Sequence, residues 1–173
     1  MKKDVGPYVS LALKTIENYV RFGKIIAVPP DVPAELLTRT AGAFVSLHKH
    51  GRLRGCIGTI EPTKPNLAEE IIQNAISAST RDPRFTPVQP DELEDLECTV
   101  DTLSEPEPVD SLTQLDAKRY GVIVESRGRR GLLLPDLEGV DTPEEQISIC
   151  RQKAFIGPND EVKLYRFEVI RYH

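Results

Sequence analysis

The chain has 173 residues, 39% hydrophobic and 28% charged, which suffices for a sizeable core in one domain, with room for two lobes. With 22 basic and 27 acidic side chains the formal net charge is −5, which excludes a generally basic nucleic-acid footprint. Five Tyr, five Phe and no Trp argue against a stacking platform for single strands, and no apolar run approaches the length of a membrane span. Met1-Lys2-Lys3-Asp4 has no hydrophobic stretch behind it, so no secretory signal is expected. Cys56, Cys98 and Cys150 are odd in number and widely spaced, giving neither a disulfide framework nor a CxxC pair. A soluble cytoplasmic protein without metal or cofactor is the expectation.

Val9, Ala12, Leu13, Ile16, Tyr19 and Val20 recur at helical spacing, and Gly23 supplies a stop. Residues 27–34 hold three prolines and predict an extended surface connection. Ala43 to Leu47 reads as a strand, followed by a turn at Lys49-His50-Gly51 and a second strand from Leu53 to Ile60 that carries Gly55 and Gly58. Glycine inside a strand marks a bulge or a close backbone approach. Asn66 with Glu69 opens a second helix whose buried face holds Leu67, Ala68, Ile71, Ile72, Ala75, Ile76 and Ser79. It should end before Arg81-Asp82-Pro83-Arg84-Phe85.

Leu96 to Leu103 alternates as a strand, and Pro106 and Pro108 close it. Val122 to Glu125 and Leu132 to Leu134 flank Ser126-Arg-Gly-Arg-Arg-Gly131, a hairpin with a basic tip. Thr142-Pro143-Glu144-Glu145 starts a third helix that Gly157-Pro158 ends. Leu164 to Ile170 is a last strand. About three helices among strands without regular βαβ alternation predict an α+β fold with mostly antiparallel sheets, as one cooperative domain over residues 1–173. Ile16, Val45, Ile72, Val100, Ile123, Leu133 and Phe167 are expected in its core.

The densest unusual segment is Arg52-Leu-Arg-Gly-Cys-Ile-Gly-Thr59. In a regular strand Arg52, Arg54 and Cys56 share a face. A bulge at Gly55 or Gly58 would expose backbone N–H groups, and the two guanidiniums would hold a carboxylate or phosphate. A cationic neighbour would also activate the Cys56 thiol as a nucleophile or redox centre. The competing reading is a core cysteine beside glycines needed for packing. Arg81, Asp82 and Arg84 offer further anion-binding groups, against the reading of a surface ion pair. On this view Arg54 and one of Arg81 and Arg84 converge on a pocket beside Cys56. His48 and His50 could approach Cys56 across the hairpin or simply be solvated turn residues. Arg127, Arg129 and Arg130 could meet an anionic partner or stand in solvent. No HExxH, GxGxxG or GxxxxGK[ST] motif occurs.

Leu53-Arg-Gly-Cys-Ile-Gly-Thr59 resembles the signature heptapeptide of the AMMECR-type domain family. Phe44-Val-Ser-Leu47, Arg81-Asp-Pro-Arg-Phe85, Gly128-Arg-Arg-Gly-Leu-Leu-Leu-Pro135 and Leu164-Tyr-Arg-Phe-Glu168 match the family in the same order. The length suits a stand-alone prokaryotic member, similar to the protein A component of the AmmeMemoRadiSam system. The resemblance implies an α+β fold of two unequal lobes, a functional site at the signature near the lobe boundary, and partnership with a Memo-like protein and a radical SAM protein. It implies no established reaction.

Two functions follow. In one, the chain is an accessory module whose signature cleft, formed by Arg52, Arg54, Gly55, Gly58, Thr59, Arg81, Asp82 and Arg84, binds a partner or a small anionic or peptide ligand. In the other it is an enzyme in which Cys56 acts on such a substrate held by Arg54.

Overall fold

The computed structural model describes residues 4–173. The chain forms two compact units, one of residues up to Leu103 plus Ile170–His173, the other Ser104–Val169.

In the first unit, α1 (Pro7–Phe22) starts with proline in its first turn and ends at Gly23. That glycine takes the left-handed conformation (φ 65°), and its N–H caps the carbonyls of Asn18 and Tyr19. A five-residue helix, α2 (Ala34–Thr38), follows the proline-rich connection. It was not expected, because one turn carries too little periodicity to stand out. The hairpin of β1 (Ala43–Lys49) and β2 (Arg52–Gly58) turns through His50 and Gly51, both at positive φ as a tight two-residue turn requires.

The next helix, α3 (Leu67–Thr80), is capped by Asn66, whose side chain accepts the Glu69 N–H at 2.9 Å. A 3₁₀ segment (Pro90–Asp95) leads into β3 (Leu96–Leu103). β1 pairs antiparallel with both β2 and β3. The sheet of this unit has the order β2-β1-β3-β8, where β8 is Val169–Tyr172. Ala43, Val45 and Leu47 of β1 are fully buried while Phe44, Ser46 and His48 are only partly so. The period of two therefore separates a helix-covered face from a more open one. α3 lies on β1 and β2, and α1 on β3 and α3. The Tyr8 ring stacks on Tyr172 at 3.8 Å between centroids.

The second unit contains β4 (Glu107–Val109), β5 (Gly121–Ser126), β6 (Arg129–Leu133), α4 (Pro143–Lys153) and β7 (Lys163–Phe167). Its sheet order is β4-β7-β5-β6 with antiparallel pairing of β4 with β7, β5 with β6 and β5 with β7. α4 is capped by Thr142 with Pro143 in the first turn, and packs on β5 and β6.

Each sheet is thus antiparallel in these ladders and helix-covered, an α+β fold. All seven expected core residues are buried. Among the described residues an apolar cluster lies in each unit, the larger centred on α1, α3, β1 and β3. Two expectations are corrected. Pro108 does not close a strand but sits in β4, an edge strand where its missing N–H costs no ladder bond. The expected last strand is two strands in two sheets. Glu168 is held between them, its N–H donating to Ser104 Oγ at 2.7 Å and its carbonyl accepting the Ser104 N–H at 2.9 Å.

Candidate functional site

The signature strand is irregular. Leu47 faces Gly55 across the hairpin and His48 faces Leu53, so Arg54 is an extra residue and forms a bulge. The bulge lies one residue before the glycine where it was anticipated. It also cancels the shared face expected for Arg54 and Cys56, which assumed a regular strand. Cys56 is opposite Ser46, on the open face of the sheet, whereas Gly55 and Ile57 face the buried Leu47 and Val45.

Neither signature glycine has positive φ; both serve close approach. A Cβ on Gly55 would meet the carbonyl oxygen of Ala78 at 2.1 Å, so α3 can lie directly on the strand only over a glycine. A Cβ on Gly58 would strike the Phe44 ring at 2.2 Å.

β2 is an edge strand, and the outward backbone groups of Cys56 are closed off by the Arg81–Phe85 segment. The buried Asp82 carboxylate accepts the Cys56 N–H at 3.0 Å, and Arg84 donates to the Cys56 carbonyl at 3.3 Å. Arg84 also forks onto Asp82, at 3.0 and 2.8 Å. That fork holds the Asp82 carboxyl well below the usual carboxylate range, against the opposing effect of burial, with the Cys56 N–H assisting. The same contact raises Arg84.

Arg54 is engaged in the same manner elsewhere. Its Nε and a terminal nitrogen each reach a Glu92 oxygen at 3.0 Å, and Lys49 adds a third contact at 3.2 Å. Glu92 is lowered to about 2, mainly by the Arg54 hydrogen bonds. The anticipated convergence of Arg54 with Arg81 or Arg84 on a pocket beside Cys56 is therefore corrected for Arg84: Arg54 and Arg84 are each held by their own carboxylate. Thr59, expected to face a ligand, is turned inward. It donates to the fully buried Glu70 at 2.5 Å and accepts from Asn74 at 3.1 Å. Glu70 further accepts the Thr63 and Lys64 N–H groups and the Thr63 hydroxyl, fixing the loop after the signature.

Three arginines of the expected set, Arg52, Arg81 and Arg84, are exposed, Arg84 while paired with Asp82. Arg52 lines an open depression of about 560 Å³ with Lys49, His50, Leu53, Arg54 and Glu92. Three permanent cations against one carboxylate make its lining net positive. Cys56 is partly exposed, and its Sγ lies 3.2 Å from Ser46 Oγ. The other two thiols are buried, and that burial pushes Cys98 up to about 12 and Cys150 up to about 11. His48 is on the open face with Ser46, and His50 faces Asp95 at 3.8 Å. Among the described residues no group of three or more His, Cys, Asp or Glu could hold a metal ion, and no helix is long and apolar enough to cross a membrane.

Sequence reasoning missed Glu92, Glu70 and Asn74. Glu70 and Asn74 carried a signal, since polar residues four apart on an otherwise apolar helix face point to a buried network. Glu92, 38 residues from Arg54, carried none.

A two-unit α+β fold with a glycine-bearing, bulged hairpin strand whose edge is clamped by an Asp–Arg pair defines the class. The AMMECR1 family model matches residues 9–172, across both units, and the chain belongs to that family. A protein of Thermotoga maritima is 61% identical over 168 residues, covering 96% of this chain and 97% of its own. Protein CA_C1420 of Clostridium acetobutylicum is 48% identical over 172 residues, covering 99% of this chain and 36% of that protein. The crystal structure of the uncharacterized protein PH0010 from Pyrococcus horikoshii aligns with a TM-score of 0.85 at 35% identity, covering 95% of this chain and 88% of that one.

Proposed function

We propose that this chain is a non-catalytic accessory module that works in the cytoplasm and binds partners across its signature hairpin. The proposed partners are a Memo-like protein and a radical SAM protein, engaged through an acidic or peptide-like segment. One observation carries the reading. Arg54, Asp82, Arg84 and Thr59, four of the expected site residues, are bonded to the protein itself. What remains on offer is a rigid strand with Arg52 and Leu53 on the rim of a basic depression. Such a surface suits recognition by shape and charge.

Calorimetric titration with each purified partner tests it. Binding is expected to weaken at least about tenfold on Arg52→Glu or Leu53→Ala, with unfolding unchanged, as for a charged contact and its apolar neighbour at an interface. No binding of either partner, or indifference to both substitutions, would sink the proposal.

A second reading, Cys56 as a nucleophile, draws on its partial exposure and the Ser46 hydroxyl beside it. Alkylation near neutral pH separates the two. An activated Cys56 reacts much faster than an ordinary exposed thiol, whereas a binding module shows ordinary reactivity there. In both cases Cys98 and Cys150 resist until unfolding.

A further inference from the structure

In the second unit Arg127, Asp136 and Phe155 occupy left-handed backbone; an aspartate tolerates that conformation, whereas Arg127 and Phe155 stand where glycine or asparagine would sit without strain. α4 ends in a Schellman motif: the Ile156 N–H returns to the Arg151 carbonyl at 2.8 Å and the Phe155 N–H to Gln152 at 3.3 Å. The position between helix and exit, ordinarily glycine, is Phe155 at φ 57°, with 83% of its surface exposed. The β5–β6 hairpin turns through Arg127 at φ 49° and Gly128 at φ 79°. An arginine thus takes a place that favours Asn, Asp or Gly.

The two features are tied together. Arg129 in β6 donates to the Phe155 carbonyl at 2.6 Å, and Lys153 donates to the Leu132 carbonyl at 2.8 Å. Glu125 pairs with Arg130 at 3.5 Å; Arg129, bonded to the Phe155 carbonyl, Lys153, two residues before the ring, and Arg127, two residues before Arg129 at the hairpin turn, are all exposed.

A fully presented aromatic on a strained, hydrogen-bonded turn gains nothing for the fold of its own unit. An exposed aromatic on a turn that an arginine holds is the composition of an interface anchor. We infer that Phe155 with Arg127, Arg129 and Lys153 forms a docking surface for an acidic segment of a partner protein that lays an apolar side chain on the ring. Charge complementarity fixes the sign of that segment. The inference lies within the second unit and does not rest on the reading of the signature strand.

Fluorescence polarisation of the full chain with a labelled short peptide of alternating glutamate and leucine tests it, with a lysine–leucine peptide as control. The acidic peptide should bind and the basic one should not. Phe155→Gly should weaken binding by roughly tenfold or more while leaving the melting temperature equal or higher, because glycine relieves the left-handed strain. Arg127→Gln and Lys153→Gln should each weaken binding several-fold and flatten its salt dependence.

The proposal is overturned if the acidic peptide does not bind, if Phe155→Gly leaves binding intact, or if that variant is destabilised or fails to fold. Preferential binding to vesicles containing phosphatidylserine would assign the patch to a membrane. Dimers that Phe155→Gly dissolves in sedimentation velocity would assign it to a second copy. Either result overturns an acidic partner segment.

Discussion

The two units use one packing device and surround it differently. In the first, α3 crosses β2 at Gly55, where an added Cβ would meet the Ala78 carbonyl at 2.1 Å; in the second, α4 crosses β6 at Gly131, where it would meet the Cys150 carbonyl at 2.0 Å. In the first unit Glu70 holds the post-signature loop, Asn74 donates to the Ala43 carbonyl, Asp82 accepts from Cys56 and Arg84, and Asp101 takes a fork from Arg171 at 2.8 and 3.1 Å, while the buried Thr102 hydroxyl has no hydrogen-bond partner. The second unit buries Gln146, whose Nε2 donates to the Tyr120 carbonyl while its Oε1 has no partner. The same helix-on-strand scaffold is therefore braced by the buried carboxylates Glu70, Asp82 and Asp101 in one unit and, in the other, by Arg129 and Lys153 donating to carbonyls between the helix end and β6. A charged group in a signature motif can be there to fix backbone, and an arginine outside it can be the one left to meet a partner.

The shared device breaks first. Gly55→Val and Gly131→Val each drive a side chain into helix backbone and should each cost on the order of 4 kcal/mol in denaturant unfolding, beyond ordinary overpacking. A loss under about 1 kcal/mol at either position would show that its helix is free to lift, and the parallel between the units would fall. The next effect is confined to the first unit. Glu70→Ala leaves buried donors of Thr59, Thr63 and Lys64 unanswered and should cost about 3 kcal/mol, with faster amide exchange over residues 59–64 as its local signature. Stability loss without faster exchange there would mean that Glu70 does not hold the loop.

The smallest effect is the charge clamp on Glu92. Its folded value, about 2, lies below the ordinary 4.5, so its contribution is fully present above about pH 4.5 and is lost as pH falls through about 2. Asp82 shifts in the same direction. Arg54→Ala should cost about 2 kcal/mol near neutrality and flatten the fall in stability across that acid window. An unchanged acid profile would detach Arg54 from Glu92.

How far the sequence reaches depends on the range of the interaction. Ile16, Val45, Ile72, Val100 and Phe167 declare themselves because burial repeats at the period of the element that carries them. The caps at Asn66 and Thr142 and the stop at Gly23 are equally local, and all were visible. The bulge at Arg54 was not, because register is a property of a pair of strands and its signal is shared between Leu47 and Leu53. That single residue decides which face Cys56 takes. The site residues were found by composition, yet their partners lie elsewhere in the chain: Glu92 for Arg54, Glu70 for Thr59, the Cys56 backbone for Asp82. Spacing alone could not separate an arginine waiting for an anion from one already holding a carboxylate.

The sheet of the first unit is closed by β8, whose residues leave the ribosome after the whole of Ser104–Glu168 has been made. During synthesis β3 must therefore wait with one edge unpaired, and Tyr8 without the Tyr172 ring it stacks on, while the inserted segment is translated. At about 5–20 residues per second that interval lasts several seconds, long compared with the folding of a hairpin or helix. The inserted unit has time to fold first, and the exposed β3 edge is the place where a nascent chain of this protein is open to capture by a chaperone or to mispairing.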